Sequence, residues 1–190
     1  MSVRLQNPLR RHTRMVKPIS QETNLILQSY FVIALLNALS QDKRLTNSEF
    51  YGTLDLSPPI RSGIDQVGVD NQGCALIALY AMLVIPKHFL ENKYKVEYEA
   101  MNTWLDSVLL DIQSTYTYKE SPRDYLRHIR NSVAHARVSF EPNSTITFED
   151  QNKSGSSSFR AKLPLVSLGS LLNNLQTIHI RYAQEMRTDA

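Results

Sequence analysis

The sequence predicts a mainly α protein, an antiparallel bundle of four to five helices with a small β-hairpin or meander late in the chain. Three observations carry this expectation. Several long segments place apolar residues at helical spacing, the stretch 138–162 alternates with a period of two, and tight or hairpin connections favour antiparallel neighbours.

Taken in order, Ser20 followed by Glu22 and Thr23 marks a helix start, and Leu25 to Leu39 is apolar on nearly all sides, as a core helix would be. Residues 41–73 show no convincing period and hold most of the glycines. So long a connection is expected to be a polar insertion, either a lid or a segment packed on the surface. A second helix is expected from Asn71 or Gln72 to about Leu90, kinked or shortened at Pro86. A third runs from Lys95 to Ile112, with Val96, Ala100, Trp104, Val108 and Ile112 as its apolar row, widened by Met101, Leu105 and Leu109. Ser121 as N-cap, Pro122 in the first position and Asp124 in the first turn open a fourth helix, expected to reach about Ala136. Val138 and Phe140, a turn at Pro142-Asn143-Ser144, then Ile146 and Phe148 read as a hairpin. Phe159 to Leu163 adds a third short strand, and a helix from Val166 to Met186 closes the chain.

At 190 residues, 42% hydrophobic and 21% charged, the chain suits one soluble domain. Its single cysteine, Cys74, cannot make an internal disulfide. At the head of an apolar run it reads as a buried thiol rather than a nucleophile, in keeping with a reducing cytoplasm. That run, Cys74 to Pro86, is too short for a bilayer, so no membrane is expected. The arginines near the N-terminus have no apolar run behind them, unlike a secretory signal. The net charge of +3 is uneven. Arg4, Arg10, Arg11, Arg14 and Lys17 face no acid within residues 1–19, whereas the remainder holds 16 basic residues (21 less 5) against 18 acidic ones. Residues 1–19 are therefore expected to form a flexible basic arm, and residues 20–190 a single domain. Such an arm can hold a phosphate backbone by releasing counterions, or be merely a solvated end.

The chemistry concentrates in residues 127–138, R-H-I-R-N-S-V-A-H-A-R-V. On a helical wheel Tyr125, Leu126, Ile129, Val133 and Ala136 form an apolar stripe. Asp124, Arg127, His128, Asn131 and His135 lie opposite it, with Arg130 beside Arg123 and Arg137. Histidine can take or give a proton near neutrality, while arginine keeps its proton and its planar fork fits phosphate oxygens. Together they suit RNA cleavage without a metal. Arg130 and His135 stand about 140° apart on an ideal helix, so two copies of the helix across a two-fold axis would bring them together more readily than one. A solvated polar face is the plain alternative. The histidines His12, His88, His128, His135 and His179 show no ligand pair at metal spacing, and no Gly-rich phosphate loop occurs, so no metal or cofactor is expected. Tyr94, Tyr98, Tyr116 and Tyr118 could stack bases, although packing explains them as well.

The segment R-N-S-V-A-H, Arg130 to His135, resembles the R-N-x-x-x-H signature of the HEPN superfamily. With the hairpin and A-K-L-P-L-V-S-L-G-S-L-L-N-N-L behind it, the chain from about 20 to 187 is similar to a HEPN subfamily encoded on bacterial plasmids. The resemblance implies a metal-independent endoribonuclease acting as a homodimer, often in toxin–antitoxin or defence systems. Its products would be a 2′,3′-cyclic phosphate and a 5′-hydroxyl, and a protein antitoxin is a possible partner. It places Arg130, Asn131 and His135 in the catalytic site. Arg127, His128, Arg123 and Arg137 are added as substrate-binding residues on the wheel alone. A HEPN module that binds a nucleotide, RNA or a protein without turnover is the alternative.

Overall fold

The computed structural model describes residues 20–42, 48–68, 71–86, 88–117, 123–142 and 144–188. The basic arm, Tyr118, Ser121, Pro122 and Asn143 lie outside them. The described chain is mainly helical with a small antiparallel sheet, as expected, but it has more helices than the four to five foreseen. It contains eight α-helices and a four-stranded antiparallel sheet whose strands lie in the order β1 (Leu110–Ser114), β4 (Ser158–Pro164), β3 (Thr145–Gln151), β2 (Val138–Glu141).

Helix α1, Gln21–Gln41, starts as Ser20 dictates, with the serine hydroxyl accepting the Thr23 N–H at 3.1 Å. The 41–73 segment is not devoid of structure: α2 (Ser48–Thr53) and α3 (Pro58–Val67) lie within it. Pro58, Pro59 and Gly63 read as breakers, yet the prolines occupy a first helical turn, where no N–H is needed. Arg61 joins the two helices, donating to the carbonyls of Leu54 at 2.7 Å and Tyr51 at 3.2 Å.

Helix α4 (Gln72–Leu79) is capped by Asn71, passes into a π-helical turn at Tyr80–Val84, and stops at Pro86. The continuation expected to Leu90 is a separate helix, α5 (His88–Lys93). Proline has no N–H to give the carbonyl four residues back, that of Met82. The Nε2–H of His179, buried and stacked on Tyr30, donates to this carbonyl at 3.1 Å instead. One proline thus ends a helix and leaves an acceptor that ties it to the last helix.

Helix α6 (Lys95–Val108) buries Tyr98, Met101, Asn102 and Leu105. The row expected to lead it is wrong at its start, since Val96 and Ala100 are exposed. The buried face follows Tyr98 and Asn102, which an apolar count ignores. The helix also ends before Ile112: residues Leu110–Ser114 form β1, paired with β4 through Leu110↔Lys162 and Ser114↔Phe159. The open edge of the sheet takes as a strand what the apolar spacing alone would have left helical.

Helix α7 (Tyr125–Ala134) precedes β2 (Val138–Glu141), β3 (Thr145–Gln151) and β4 (Ser158–Pro164), close to expectation. Ile146, Phe148, Phe159, Ala161 and Leu163 are buried, and Arg160 and Glu149 alternate outward. Helix α8 (Leu165–Thr188) adds Leu168, Leu171, Leu175, Ile178 and Tyr182, spaced three and four apart. These residues and α7 belong to one hydrophobic core.

Helix α1 departs most from expectation. Of its residues only Thr23, Ile26 and Tyr30 are buried; Leu25, Phe31, Val32 and Leu35 are more than half exposed. It is not a core helix within one chain. At 21 residues it is also long and apolar enough to cross a membrane, which an uninterrupted-run count missed because Gln28, Ser29 and Asn37 punctuate it.

Helix α7 ends in a reversal that determines where the motif stops. The N–H groups of Ala136 and Arg137 bond back to the carbonyls of Val133 at 3.2 Å and Ser132 at 2.8 Å. This is a Schellman cap, and its left-handed position is held by Ala136 at φ 53°. A side chain there costs about 1 kcal/mol relative to glycine. Ala136→Gly should therefore stabilise the fold by roughly 0.5–1 kcal/mol, less than the full strain because glycine also loosens the unfolded chain. A urea titration at neutral pH checks this, and a lower midpoint would refute it.

Candidate active site on the motif helix

Three neighbours hold α7. At its N-terminus Asp124 accepts the Arg127 N–H at 3.0 Å, while the buried Asn102 of α6 accepts the Leu126 N–H at 2.9 Å. Together they satisfy two of the orphan donors of a helix start. The cap is thus Asp124, not Ser121. The Tyr125 hydroxyl donates to Asp106, a second tie to α6.

On the sheet side, the Asp150 carboxylate of β3 accepts two bonds from α7, both to Oδ2. One comes from His128 Nδ1 at 2.7 Å, the other from Asn131 Nδ2 at 3.1 Å. His128 is fully buried, stacked on Phe159 with ring centroids 4.4 Å apart and covered by Tyr116. This corrects its expected place on a solvated face: buried, it cannot touch a substrate. The helix is covered from two directions, by the bundle and by the sheet, so its buried arc is wider than the apolar stripe. Burial lowers the His128 pKa, against the pull of Asp150 and with help from the Arg127 charge. The neutral tautomer follows from its neighbours. Nδ1 gives its hydrogen to the carboxylate, and Nε2 keeps a lone pair toward Arg127 Nη2, which can only donate, at 3.5 Å.

On the third side, Arg130 meets α5. Its Nη1 donates to Glu91 Oε2 at 3.1 Å and lies 3.5 Å from His88 Nδ1, which is itself 3.1 Å from Glu91 Oε2. The Arg130 side chain is 11% exposed. His135 occupies the C-cap of α7 and is exposed. Among the described residues its side chain has no hydrogen-bond partner, and nothing joins it to Arg130. The motif is therefore asymmetric: a fixed guanidinium, an amide anchored through its nitrogen so that its oxygen is left for a ligand, and an open imidazole.

The added substrate-binding residues separate. Arg127 is half-buried, lying over the Tyr116 ring and 3.6 Å from Asp124. Arg137 lines an open groove of about 580 Å³ across the sheet with Gln113, Thr115, Glu149 and Arg160. Arg123 precedes the helix, at the end opposite His135, and is not brought to the motif. Of the tyrosines offered for stacking, Tyr94 and Tyr98 are buried and Tyr116 covers His128. The sequence reading missed Glu91, His88, Asp150 and Phe159. No local signal marks them, because each reaches the motif only through tertiary packing.

Burial also lowers the pKa of His179, against the Met82 hydrogen bond, so two buried histidines are held neutral. The unfolded chain takes up these protons below about pH 6.5, whereas the folded chain resists them. Their contribution is thus fully present above that pH and lost as pH falls toward the lowered folded values. Each should remove up to about 1.4 kcal/mol of stability per pH unit in that window. In His128→Gln the slope of stability between pH 6.5 and 5 should fall, by at most one proton; an unchanged slope would rule out a neutral buried His128.

Comparison with known proteins gives one family. The model for HEPN pEK499 p136 matches residues 11–185, reaching into the basic arm and through most of α8. No curated protein and no solved structure matches the chain. With that match running through nearly its whole length, this chain belongs to the HEPN pEK499 p136 family, within the HEPN superfamily.

Proposed function

We propose that the chain is a metal-independent endoribonuclease that works as a cytoplasmic homodimer in a toxin–antitoxin or other defence system, held in check by a protein antitoxin. The observation that carries this reading is the contrast within one helix between Arg130, locked on Glu91, and His135, open at the C-cap. A fixed guanidinium suits the charge that grows on a phosphorane, because its donors need no rearrangement as the reaction proceeds. An accessible imidazole suits removal of the 2′-hydroxyl proton, and the free amide oxygen of Asn131 suits a ribose hydroxyl. In this reading Arg127, half-buried over Tyr116, and Arg137, in the sheet groove, would meet phosphates further along the RNA.

The homodimer reading draws on the apolar face of α1. Leu25, Phe31, Val32, Leu35 and Leu36 share one side, flanked by Ile77 of α4 and Tyr80 of the π-helical turn. Their exposed area is on the order of 700 Å², near the roughly 800 Å² per partner of a stable interface, which favours a second copy as the cover. Tyr80 opens the π-helical turn that packs on α7, so this face adjoins the element behind the motif.

One observation favours the alternative of a catalytically silent HEPN module: Arg130 is largely covered and already neutralised by Glu91. That module would bind RNA or a partner without cutting.

Two experiments test these readings. Purified protein should cleave single-stranded RNA in EDTA, leaving 2′,3′-cyclic phosphate ends, and His135→Ala should slow cleavage at least about 100-fold with an unchanged melting temperature. Binding without cleavage would support the silent module. Separately, sedimentation should show a dimer that Leu35→Glu converts to a folded monomer; a wild-type monomer at micromolar concentration would remove the interface.

A further inference from the structure

Cleavage by 2′-hydroxyl attack moves two protons. One leaves the nucleophile, and another must reach the departing 5′-oxygen, on the far side of the phosphorus. Arg130 cannot supply it, because guanidinium does not deprotonate in proteins. His135 is occupied at the attacking oxygen. The three-residue motif is therefore one proton donor short within a single chain.

Among the described residues the other histidines are His88, His128 and His179. The last two are buried, one against Phe159 and Asp150 and the other against Tyr30 and Met82, away from any nucleotide. His88 differs. Its side chain is 64% exposed, and its Nδ1 lies 3.5 Å from Arg130 Nη1. Both groups meet the same oxygen of Glu91, each at 3.1 Å. A carboxylate can only accept, and the Glu91 contact of Nδ1 is shorter than its Arg130 contact, so the hydrogen of His88 is assigned to Nδ1, directed at Glu91, and Nε2 is the nitrogen left facing solvent. A carboxylate behind Nδ1 fixes the ring with Nε2 outward, and the Arg130 guanidinium beside it marks where a phosphate would sit.

We propose that His88 is the general acid of this reaction, protonating the leaving 5′-oxygen from Nε2, with Glu91 as the positioning residue that orients both His88 and Arg130. The inference rests on the ribonuclease reading above. His135 takes the 2′-hydroxyl proton as the O2′–P bond forms. The P–O5′ bond breaks with its electron pair going to O5′, which receives the Nε2 proton of His88. His135 ends protonated and His88 neutral, and exchange with water restores both. The step is the same whichever copy of the chain supplies His135.

The test compares two RNAs cut by the full chain in EDTA: one with ordinary linkages, and the same RNA with sulfur replacing the bridging 5′-oxygen at the mapped cleavage position. A thiolate leaves without a proton, so only the ordinary linkage needs the acid. His88→Ala should slow cleavage of the ordinary RNA by about 10²–10⁴-fold yet cut the sulfur-bridged RNA within about tenfold of the wild type. His88→Gln, which keeps a hydrogen-bonding side chain but no acid, should behave the same way. Equal loss on both RNAs would reduce His88 to a positioning residue and overturn the proposal. Full activity on both would overturn it while the ribonuclease reading stands. A wild-type protein that cuts neither RNA would bring down the ribonuclease reading, and this inference with it.

Discussion

The arrangement of the motif depends on one buried carboxylate. Asp150 is 4% exposed, and it is tolerable there only because two donors from α7 converge on it. Losing either leaves a poorly solvated charge, so the pair sets how far α7 is rotated about its axis. With His128 and Asn131 turned to the sheet, Arg130 is carried round to α5, where Glu91 meets it. His135, at the C-cap beyond the last turn, stays exposed. The buried pair is thus less a source of net stability than a device that selects one orientation.

The two ends of α7 limit it lengthwise as Asp150 limits it rotationally. Asn102 and Asp124 occupy the orphan N–H groups at the start, and the reversal at Ala136 satisfies the last carbonyls. Because the chain turns sharply there, His135 sits at the edge of the helix instead of inside another turn, and Arg137 is delivered to the sheet groove. A strained alanine at that corner and a buried polar residue on α6 are local departures from an easy fold, and both lie beside the residues proposed to act on RNA.

The bundle is fastened by a similar economy of polar contacts. Pro86 frees the Met82 carbonyl and His179 meets it, while Tyr182 donates to Thr23 at 2.8 Å, so α8 is tied to both α1 and the π-helical turn. These ties use the inner face of α1 and leave its outer face bare. An apolar helix held from one side is the natural edge of an unfinished core, which is why a second copy enters the proposed function.

Much was legible in the residues themselves. Ser20 started its helix, the three-and-four spacing of Leu168 to Tyr182 described α8, and the alternation from Val138 to Leu163 described β2 to β4 nearly to the residue. Local chemistry sufficed for these, since caps, helical stripes and pleats are determined by neighbours a few positions apart, whereas Arg130, Asn131 and His135 stood out through the resemblance of R-N-S-V-A-H to the HEPN signature. Tertiary structure decided the rest. It turned Leu110–Ser114 from helix to strand by offering a sheet edge, buried His128 behind Phe159, exposed α1, and set Glu91 and His88 against Arg130. No pattern within a segment reports such contacts, because a side chain's burial and charge partners belong to whichever distant segment packs on it.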